Sequence, residues 1–327
     1  MYPGYIGSQT YFRDVNPVSV VSNFLQACFG RLCIGALLGY VFYNPAIASE
    51  DLSPKQWLGK MSDAMQALNY RGVFIYRRGE DLATMKVTHL ADQKGSHELL
   101  ETLTGESRRE LRNVPNFSAV DGEASDQLSR IDAFYTLELM GSDRAAGRAT
   151  RLVSVTPKDE FRYGYRLWLD QDTGLLLKSD LLNQEGETLE QVLFTSLELI
   201  PPQQRDSLLK TESMNAAEEQ VAVNHHDKIH WAVGALPKGF VLLNAHSNTA
   251  QGGFDHMVYS DGLASVSVFV EKTQSDAESF IGLSSMGAVS AFGAVESGHQ
   301  VTVVGDVPEI TVRTIGESIT LQESAGD

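Results

Sequence analysis

The chain has 327 residues, a net charge of −16 at pH 7 and a pI near 4.9. Such an acidic chain lacks the basic surface that general binding to nucleic acid or to an anionic membrane requires. The length suggests roughly two domains, and a hydrophobic content of 43% is ordinary for globular cores.

The charge is unevenly distributed along the chain. Fifteen of the 26 Lys and Arg residues lie between Arg71 and Arg166, and only six follow residue 200. Residues 201–327 contain 16 Asp and Glu, which gives this part a net charge of −10. The two halves therefore present different surfaces, and the acidic half is expected to meet a partner of its own.

The first 48 residues have the features of a signal peptide. Arg31 precedes the apolar run Leu32–Tyr43, whose 12 residues are too short for a transmembrane helix. Ala46-Ile47-Ala48 then has the small-x-small pattern of a signal-peptidase site. We predict an exported chain cleaved near Ala48, with a short membrane anchor as the alternative. The 30 residues before Arg31 are long for a signal, which leaves the true start codon open.

Cleavage at this point removes both cysteines, Cys28 and Cys33. The mature chain would then have neither disulfides nor thiol chemistry.

Residues 49–200 have the pattern of one large antiparallel sheet with a helix before it. Ser53 and Pro54 predict a helix start, because Ser can cap and Pro suits the first turn. Apolar residues continue at helical spacing to Leu68. The predicted strands that follow are Tyr70–Tyr76, Leu82–Leu90, His97–Leu103, Arg108–Asn113, Ala133–Leu139 and Arg151–Pro157.

The stretch Phe161–Leu199 predicts a three-stranded meander. Asp170–Gly174 supplies the first turn and Gln184–Glu187 the second, because Asp bonds to nearby backbone and Gly accepts a positive φ. The residues between the turns are aromatic, branched or leucine, which suits a half-buried pleated surface.

Residues 201–222 are polar and predict a linker or linking helix from Asp206, before a second unit over 223–327. In that unit the predicted strands are Phe240–Ala245, His256–Ser260, Leu263–Glu271 and Gln300–Val304. A closing helix is predicted at Glu309–Ile319, and the small-residue stretch Gly282–Ser297 receives no element.

Several blocks of the chain, taken in order, resemble the MucB/RseB family of periplasmic regulators. The blocks are Asn69–Gly79, Leu103–Glu110, Tyr165–Asp170, Asp180–Leu182, Gly186–Gln191, Leu236–Phe240, Tyr259–Leu263 and Gln300–Pro308. The blocks are spread from Asn69 to Pro308, so the resemblance covers nearly all of the mature chain.

The resemblance implies an α+β, mainly antiparallel β fold. It implies a large half-barrel domain over 49–200, lipoprotein-carrier-like and closed by helices, and a smaller C-terminal α+β domain over 223–327. It also implies a periplasmic homo-oligomer that binds the periplasmic region of a membrane-spanning anti-sigma factor. Such a protein shields its partner from site-1 proteolysis and releases it on sensing lipopolysaccharide or mislocalised envelope lipids.

Six apolar residues are candidates for lining a lipid cavity: Phe74, Tyr76, Phe134, Trp168, Leu177 and Phe194. Spacing alone favours a packed core, because sheets bury such residues routinely, whereas the resemblance favours a cavity. Because strand side chains alternate, the side of Trp168 opposes that of Tyr165, and the sequence does not decide which side lines the cavity.

A basic run forms the candidate rim for an anionic headgroup. Its members are Arg77, Arg78, Arg108 and Arg109, with Arg112 beyond them. Such residues usually form a solvated face, although they can also bond phosphates. In the second unit, the candidate partner-binding residues are Phe240, Tyr259 and Phe269.

Neither a catalytic constellation nor a cofactor or metal site is predicted. His226 and His230 stand at i, i+4 next to His225, but no complete ligand set accompanies them. Leu175 and Leu181 occupy the positions at which a calcium loop beginning at Asp170 needs Gly and Glu. The remaining alternative is a periplasmic lipid or lipoprotein carrier without a regulatory partner.

Overall fold

The computed structural model describes residues 52–91, 95–115, 131–213, 229–248, 253–273 and 279–322. The predicted signal segment, both cysteines, His225, His226 and residues 214–222 of the predicted linker lie outside these ranges. Two open antiparallel sheets dominate the described residues, accompanied by three helices. The mainly antiparallel fold that the sequence predicts is confirmed.

Helix α1 (Pro54–Ala67) begins where the sequence predicts. The Ser53 hydroxyl accepts a hydrogen bond from the Gln56 amide at 3.3 Å, and the Ser53 amide donates to Gln56 Oε1 at 2.8 Å. This reciprocal capping satisfies two backbone groups that a helix start otherwise leaves unpaired. The buried face of α1 consists of Trp57, Leu58, Met61, Ser62, Ala64 and Met65.

The first sheet has nine strands. They are β1 (Tyr70–Arg78), β2 (Asp81–Ala91), β3 (Gly95–Thr102), β4 (Arg109–Pro115), β5 (Tyr135–Ala145), β6 (Arg148–Pro157), β7 (Gly164–Asp170), β8 (Leu176–Leu182) and β9 (Thr188–Leu199). Their spatial order is β4-β3-β2-β1-β9-β8-β7-β6-β5. The predicted meander is therefore the contiguous block β7–β9, and β9 closes back onto β1.

Helix α2 (Pro202–Ser213) follows the first sheet and starts at Pro202, four residues earlier than predicted. The second half contains β10 (Trp231–Val233), β11 (Val241–Asn248), β12 (Phe254–Ser260), β13 (Ser265–Lys272), β14 (Gly282–Met286), β15 (Val289–Glu296), β16 (His299–Gly305), α3 (Glu309–Glu317) and β17 (Ile319–Leu321). Six strands form a sheet in the order β11-β12-β13-β16-β15-β14, and β10 pairs with β17.

Two predictions for the second half need correction. The stretch Gly282–Ser297, which received no element, is the hairpin β14–β15, whose small residues let other segments pass close to its backbone. At Gly293, for example, an added Cβ would lie 2.3 Å from the Phe280 ring. The closing helix ends at Glu317, because Ile319 pairs with Val233 in β10–β17.

Each sheet has its own hydrophobic core. The first core joins α1 to one face of the nine-stranded sheet, and the second joins α3 to one face of the six-stranded sheet. Leu263, Ala288 and Val289 belong to the second half of the chain but are buried in the first core. The two sheets therefore pack against each other.

Candidate functional site

The register of the nine-stranded sheet decides which side chains share a face. Phe74 is opposite Phe194, and Tyr76 is opposite Val192. On β8, Ser179 is opposite Val192 of β9 and Leu167 of β7. Ser179 and Leu167 therefore lie on the same face of the sheet as Tyr76 and Val192. We call this the inner face, because its side chains share one core with α1.

The inner face holds five of the six candidate cavity residues. Phe74, Tyr76, Leu177 and Phe194 are 0–6% exposed. Phe134 is half-buried and packs against the same core. The inner face is therefore the side of Tyr165, the alternative that the sequence left open.

Trp168 lies on the opposite, outer face, so it does not share a face with the other five candidates. It is opposite Lys178, whose Nζ lies 3.7 Å from the centre of the indole ring. Its Nε1 donates to Asp143 Oδ2 at 2.9 Å. The lysine side chain buries Trp168 from outside the sheet, which explains why low exposure does not place it on the inner face.

Protein side chains cover the inner face. Trp57, Leu58, Met61 and Met65 of α1 are buried there, together with Leu263, Ala288 and Val289 of the second half. A ligand chain that binds to the part of the inner face beneath these side chains would have to displace them.

The four rim arginines lie at one end of the nine-stranded sheet. Arg77 and Arg78 end β1, which pairs with the start of β2. Arg109 begins β4, and the Thr102 amide at the end of β3 donates to the Arg108 carbonyl at 2.9 Å. The structure thus brings together residues that the sequence separates by 30 positions.

The four arginines differ in their surroundings. Arg108 and Arg109 are exposed, and Arg109 Nε lies 4.0 Å from Glu101 Oε1. Arg78 is half-buried, and its Nε and Nη1 are buried atoms without a hydrogen-bond partner among the described residues. A guanidinium can donate two parallel hydrogen bonds to a phosphate or carboxylate, but here two carboxyl groups already lie beside it.

A pair of carboxyl groups accompanies Arg78. The Tyr76 hydroxyl donates to Glu190 Oε2 at 2.9 Å. Burial raises the pKa of Glu190, and this hydroxyl and Arg78 oppose the rise. Burial together with the nearby Glu190 raises the pKa of Asp306 to about 7, which Arg78 also opposes. Asp306 belongs to the second half, so this cluster spans the contact between the two sheets.

A buried ion pair forms a second contact between the sheets. Arg162, in the β6–β7 loop, donates from Nη1 to Asp261 Oδ2 at 2.7 Å, and both side chains are 0% exposed. The same oxygen accepts the Tyr135 hydroxyl at 2.8 Å. Arg162 also donates to Asp159 Oδ1 at 2.9 Å and to the Lys238 carbonyl at 2.6 Å.

Aromatic rings enclose this ion pair. The Arg162 guanidinium carbon lies 5.0 Å from the Phe134 ring, 5.5 Å from Tyr135 and 5.2 Å from Phe240. An added Cβ at Gly239, where φ is +94°, would lie 2.6 Å from Phe134. Phe134 and Phe240, one a cavity candidate and the other a partner-binding candidate, therefore meet at this junction.

The other two partner-binding candidates lie on opposite faces of the six-stranded sheet. Tyr259 is buried in the second core, and its hydroxyl lies 3.6 Å from Met257 Sδ. Phe269 is half-buried on the other face, stacked on His256 with ring centres 4.2 Å apart. Phe254 lies beside Phe269, with ring centres 6.3 Å apart. Phe269 is thus the candidate with a partly open surface.

The turn that begins at Asp170 is held by protein groups. Arg148 donates to both carboxylate oxygens at 3.0 and 2.9 Å, and Thr173 Oγ1 donates at 2.6 Å. Burial raises the pKa of Asp170, but these hydrogen bonds outweigh it and the pKa lies below its usual value. This structure fits the hairpin turn that the sequence predicts.

Two kinds of feature are absent from the part of the chain that the structure describes. No three His, Cys, Asp or Glu side chains in those ranges come together as a possible metal site. Within the same ranges, no helix is long and apolar enough to cross a membrane.

Sequence reasoning missed the contacts between the sheets. Arg162 lies at the start of the predicted meander and Glu190 lies in the block Gly186–Gln191, but nothing in their local pattern marks them as buried. Gly287 lies in the stretch that received no element. A signal was present only for Asp261, because Asp261-Gly262 is a turn sequence between the predicted strands His256–Ser260 and Leu263–Glu271.

Comparison with known proteins places both halves in one family. The sequence model of the MucB/RseB N-terminal domain matches residues 53–212, and that of the MucB/RseB C-terminal domain matches residues 225–320. The chain is 32% identical over 314 residues to the sigma factor AlgU regulatory protein MucB of Pseudomonas aeruginosa, covering 88% of this chain and 97% of that protein. It is 28% identical over 294 residues to the sigma-E factor regulatory protein RseB of Haemophilus influenzae, covering 83% and 92%.

Solved structures agree with the sequence matches. The crystal structure of MucB in complex with MucA(peri) superposes with a TM-score of 0.64 at 30% identity, covering 83% of this chain and all of that one. The crystal structure of MucB gives a TM-score of 0.62 at 30% identity, covering 82% and 98%.

Proposed function

The chain belongs to the MucB/RseB family, as its sequence predicts, and we propose that it is a periplasmic regulator of an envelope-stress sigma factor. It binds the periplasmic region of a membrane-spanning anti-sigma factor and shields that region from site-1 proteolysis. Release follows when the protein senses lipopolysaccharide or mislocalised envelope lipid. The protein acts by binding and not by catalysis, and it works as a homo-oligomer.

One observation supports the proposal most directly. The chain matches, across both of its sheets, a relative whose structure is solved in complex with a partner. Its relatives bear the names of regulatory proteins of sigma factors, and MucB is solved in complex with MucA(peri). The match extends over 83% of this chain, so it includes the contact between the sheets as well as each sheet. A partner segment that spans both sheets would use all of the matched surface.

Strand edges offer a place for such a segment. The nine-stranded sheet ends at β4 and β5, and the six-stranded sheet ends at β11 and β14. An extended peptide can add to an open edge through its main chain, while side-chain pockets give specificity. A segment held as an added strand cannot extend into a protease cleft, which supplies the shielding.

Lipid release follows from linkage between two ligands. If a lipid favours the released state, the bound segment must oppose lipid to the same degree. A lipid with equal affinity for both states would shift nothing. Burial of about 12 acyl methylenes contributes roughly 10 kcal/mol gross, and micromolar peptide binding amounts to about 8 kcal/mol. Envelope lipids already pack against each other, so the net contribution is smaller than this gross figure.

A pull-down from envelope extract with the mature chain, 49–327, tests partner binding. Recovery of a single-span protein with a basic cytosolic half supports the proposal. Recovery of outer-membrane lipoproteins without such a protein favours the carrier. Deleting residues 223–327 separates the two further, since a carrier that uses the first sheet alone keeps its lipid transfer.

Lipid titration into the preformed complex tests release. We expect the affinity for the periplasmic segment to fall as lipid saturates the protein. An unchanged affinity at saturation would exclude lipid-linked release while leaving partner binding intact.

A further inference from the structure

We infer that the acyl-binding surface is the part of the inner face that the β14–β15 turn now covers, so that an acyl chain and this turn are alternative occupants of one apolar site. We call the turn, Met286–Val289, the tip. The inference rests on the proposed function, because it assumes that the protein binds an acyl ligand.

The tip is buried in the core of the other sheet. Ala288 is 0% exposed and Val289 is 3% exposed, and both belong to the core that contains Tyr76 and Phe194. Only the turn and the start of β15 reach this core, while the rest of the hairpin stays in the six-stranded sheet. The core of the nine-stranded sheet therefore already contains a short apolar segment that comes from the second half of the chain.

A glycine lets the tip approach so closely. Gly287 has a φ of +64°, and an added Cβ would lie 2.5 Å from Arg78 Cγ and 2.8 Å from Arg78 Cδ. The tip backbone thus presses on the aliphatic part of Arg78. The same added Cβ would lie 3.4 Å from Glu190 Oε1, so the tip also adjoins the carboxyl cluster.

Arg78 lies beside two carboxyl groups, Glu190 and Asp306, where the tip lies against it. Its Nε and Nη1 are buried and have no hydrogen-bond partner among the described residues. A buried donor without a partner is destabilising, and a charged one more so. Displacing the tip would uncover these nitrogens, while the acyl tail takes the place of Ala288 and Val289.

The apolar area that the tip buries is small, which favours an acyl chain that is longer than the tip side chains. The side chains of Ala288 and Val289 offer four carbons in total. Burial free energy grows with apolar area, so an acyl chain well beyond four carbons buries more surface than the tip does. The ligand class is therefore a medium or long acyl chain.

Alternative occupancy couples the ligand to the contact between the sheets. An acyl chain in the site displaces the tip, and a weakened tip raises acyl affinity by the same factor. The Arg162–Asp261 pair lies at another point of the contact, so the tip can leave without separating the two sheets. Ligand binding would then change the surface on which a partner segment lies.

The test compares two glycine variants of the mature chain, Gly287→Ala and Gly298→Ala. Both glycines have a positive φ, +64° and +74°, so the added methyl strains the backbone similarly. Only Gly287 has neighbours within 4 Å of the added Cβ. The probe is a dansyl-labelled undecanoate, and its affinity is measured by fluorescence titration.

We expect Gly287→Ala to bind the probe about fivefold or more tightly than the unmodified chain, and Gly298→Ala to match the unmodified chain. A second pair covers the case in which Gly287→Ala does not fold. Val289→Ala weakens the tip without a clash and should raise affinity, whereas Val295→Ala, at a 44% exposed position on the same strand, should not.

Equal probe affinity in the unmodified, Gly287→Ala and Val289→Ala chains would overturn the inference. If lipid still releases the partner segment from these chains, the proposed function stands and only the location of the acyl site is wrong. If no chain binds the probe, the inference and the lipid-sensing part of the proposed function fail together, while partner binding is judged by the pull-down.

Discussion

Arg162 and Asp261 form an ion pair with both side chains fully buried, 99 positions apart in the sequence, with Nη1 and Oδ2 2.7 Å apart. Asp261 Oδ1 accepts the amides of Leu263 and Ala264 at 2.9 and 2.8 Å, while Oδ2 accepts the Tyr135 hydroxyl. Burying two charges is costly unless hydrogen bonds satisfy them. Here both are extensively hydrogen-bonded, so the pair fixes how the two sheets meet.

Removing one partner of this pair should be strongly destabilising. Arg162→Met leaves the Asp261 carboxylate buried without its counter-charge, and we expect a loss of about 3–5 kcal/mol. Thermal unfolding measures the loss, and small-angle scattering shows whether the sheets separate. The control is Lys86→Met, since Lys86 pairs with Glu101 at a partly exposed site and should cost about 1 kcal/mol or less. Equal losses in the two variants would contradict the role of the buried pair.

Tryptophan quenching can report which sheet face receives an acyl chain. Trp57 lies in the core of the inner face, whereas Trp168 lies on the outer face. In variants that retain one of the two, with the other tryptophans changed to Phe, brominated dodecanoate should quench Trp57 strongly and Trp168 weakly. Stronger quenching of Trp168 would place the ligand on the outer face and exclude the inner-face site.

Stability should fall with rising pH through Asp306. Its pKa is raised from 3.8 to about 7, so between roughly pH 4 and pH 7 the folded chain keeps a proton that the unfolded chain loses. That difference lowers stability as pH rises through this window. Asp306→Asn should therefore lose less stability than the unmodified chain between about pH 5.5 and about pH 8. Glu190 remains in the variant, so the dependence is reduced and not abolished.

The control for this experiment is Asp172→Asn, because the Asp172 side chain is 87% exposed. Melting temperatures at the two pH values give the comparison. If Asp306→Asn and Asp172→Asn show the same pH dependence, the raised pKa of Asp306 does not contribute to folding.

The capping box at Ser53 should stabilise α1, the helix that covers the inner face. Ser53→Ala removes the acceptor for the Gln56 amide and should cost about 1 kcal/mol, whereas Ser53→Gly should cost only a few tenths. Chemical denaturation measures both. A larger loss for Gly than for Ala would indicate that Ser53 acts through something other than capping.

Local pattern was sufficient to predict most elements. Ser53 and Pro54 identify the start of α1, and alternating residues with Gly and Asp turns identify β7–β9. Prediction failed where small residues hid a strand, as in β14 and β15, because their alternation carries little hydrophobic contrast. It also overextended α3, since the pairing of Ile319 with Val233 joins residues 86 positions apart.

The candidate site was only partly predictable for the same reason. The sequence selects Phe74, Phe194 and Trp168 alike, because each is a large apolar residue in a strand. Strand register then places Phe74 and Phe194 together and Trp168 on the other face. A shift of one residue would reverse these faces, and short-range pattern does not fix the register.

The sequence by itself determined the family and the mainly antiparallel class. These properties reside in local propensity, turn chemistry and ordered motifs, which can be read along the chain. Only the tertiary structure decided that the inner face is the Tyr165 side, that Arg162 meets Asp261, and that the tip covers the core beside Arg78. Each of these depends on contacts between distant segments, whose free energy depends on burial and geometry that the sequence alone does not display.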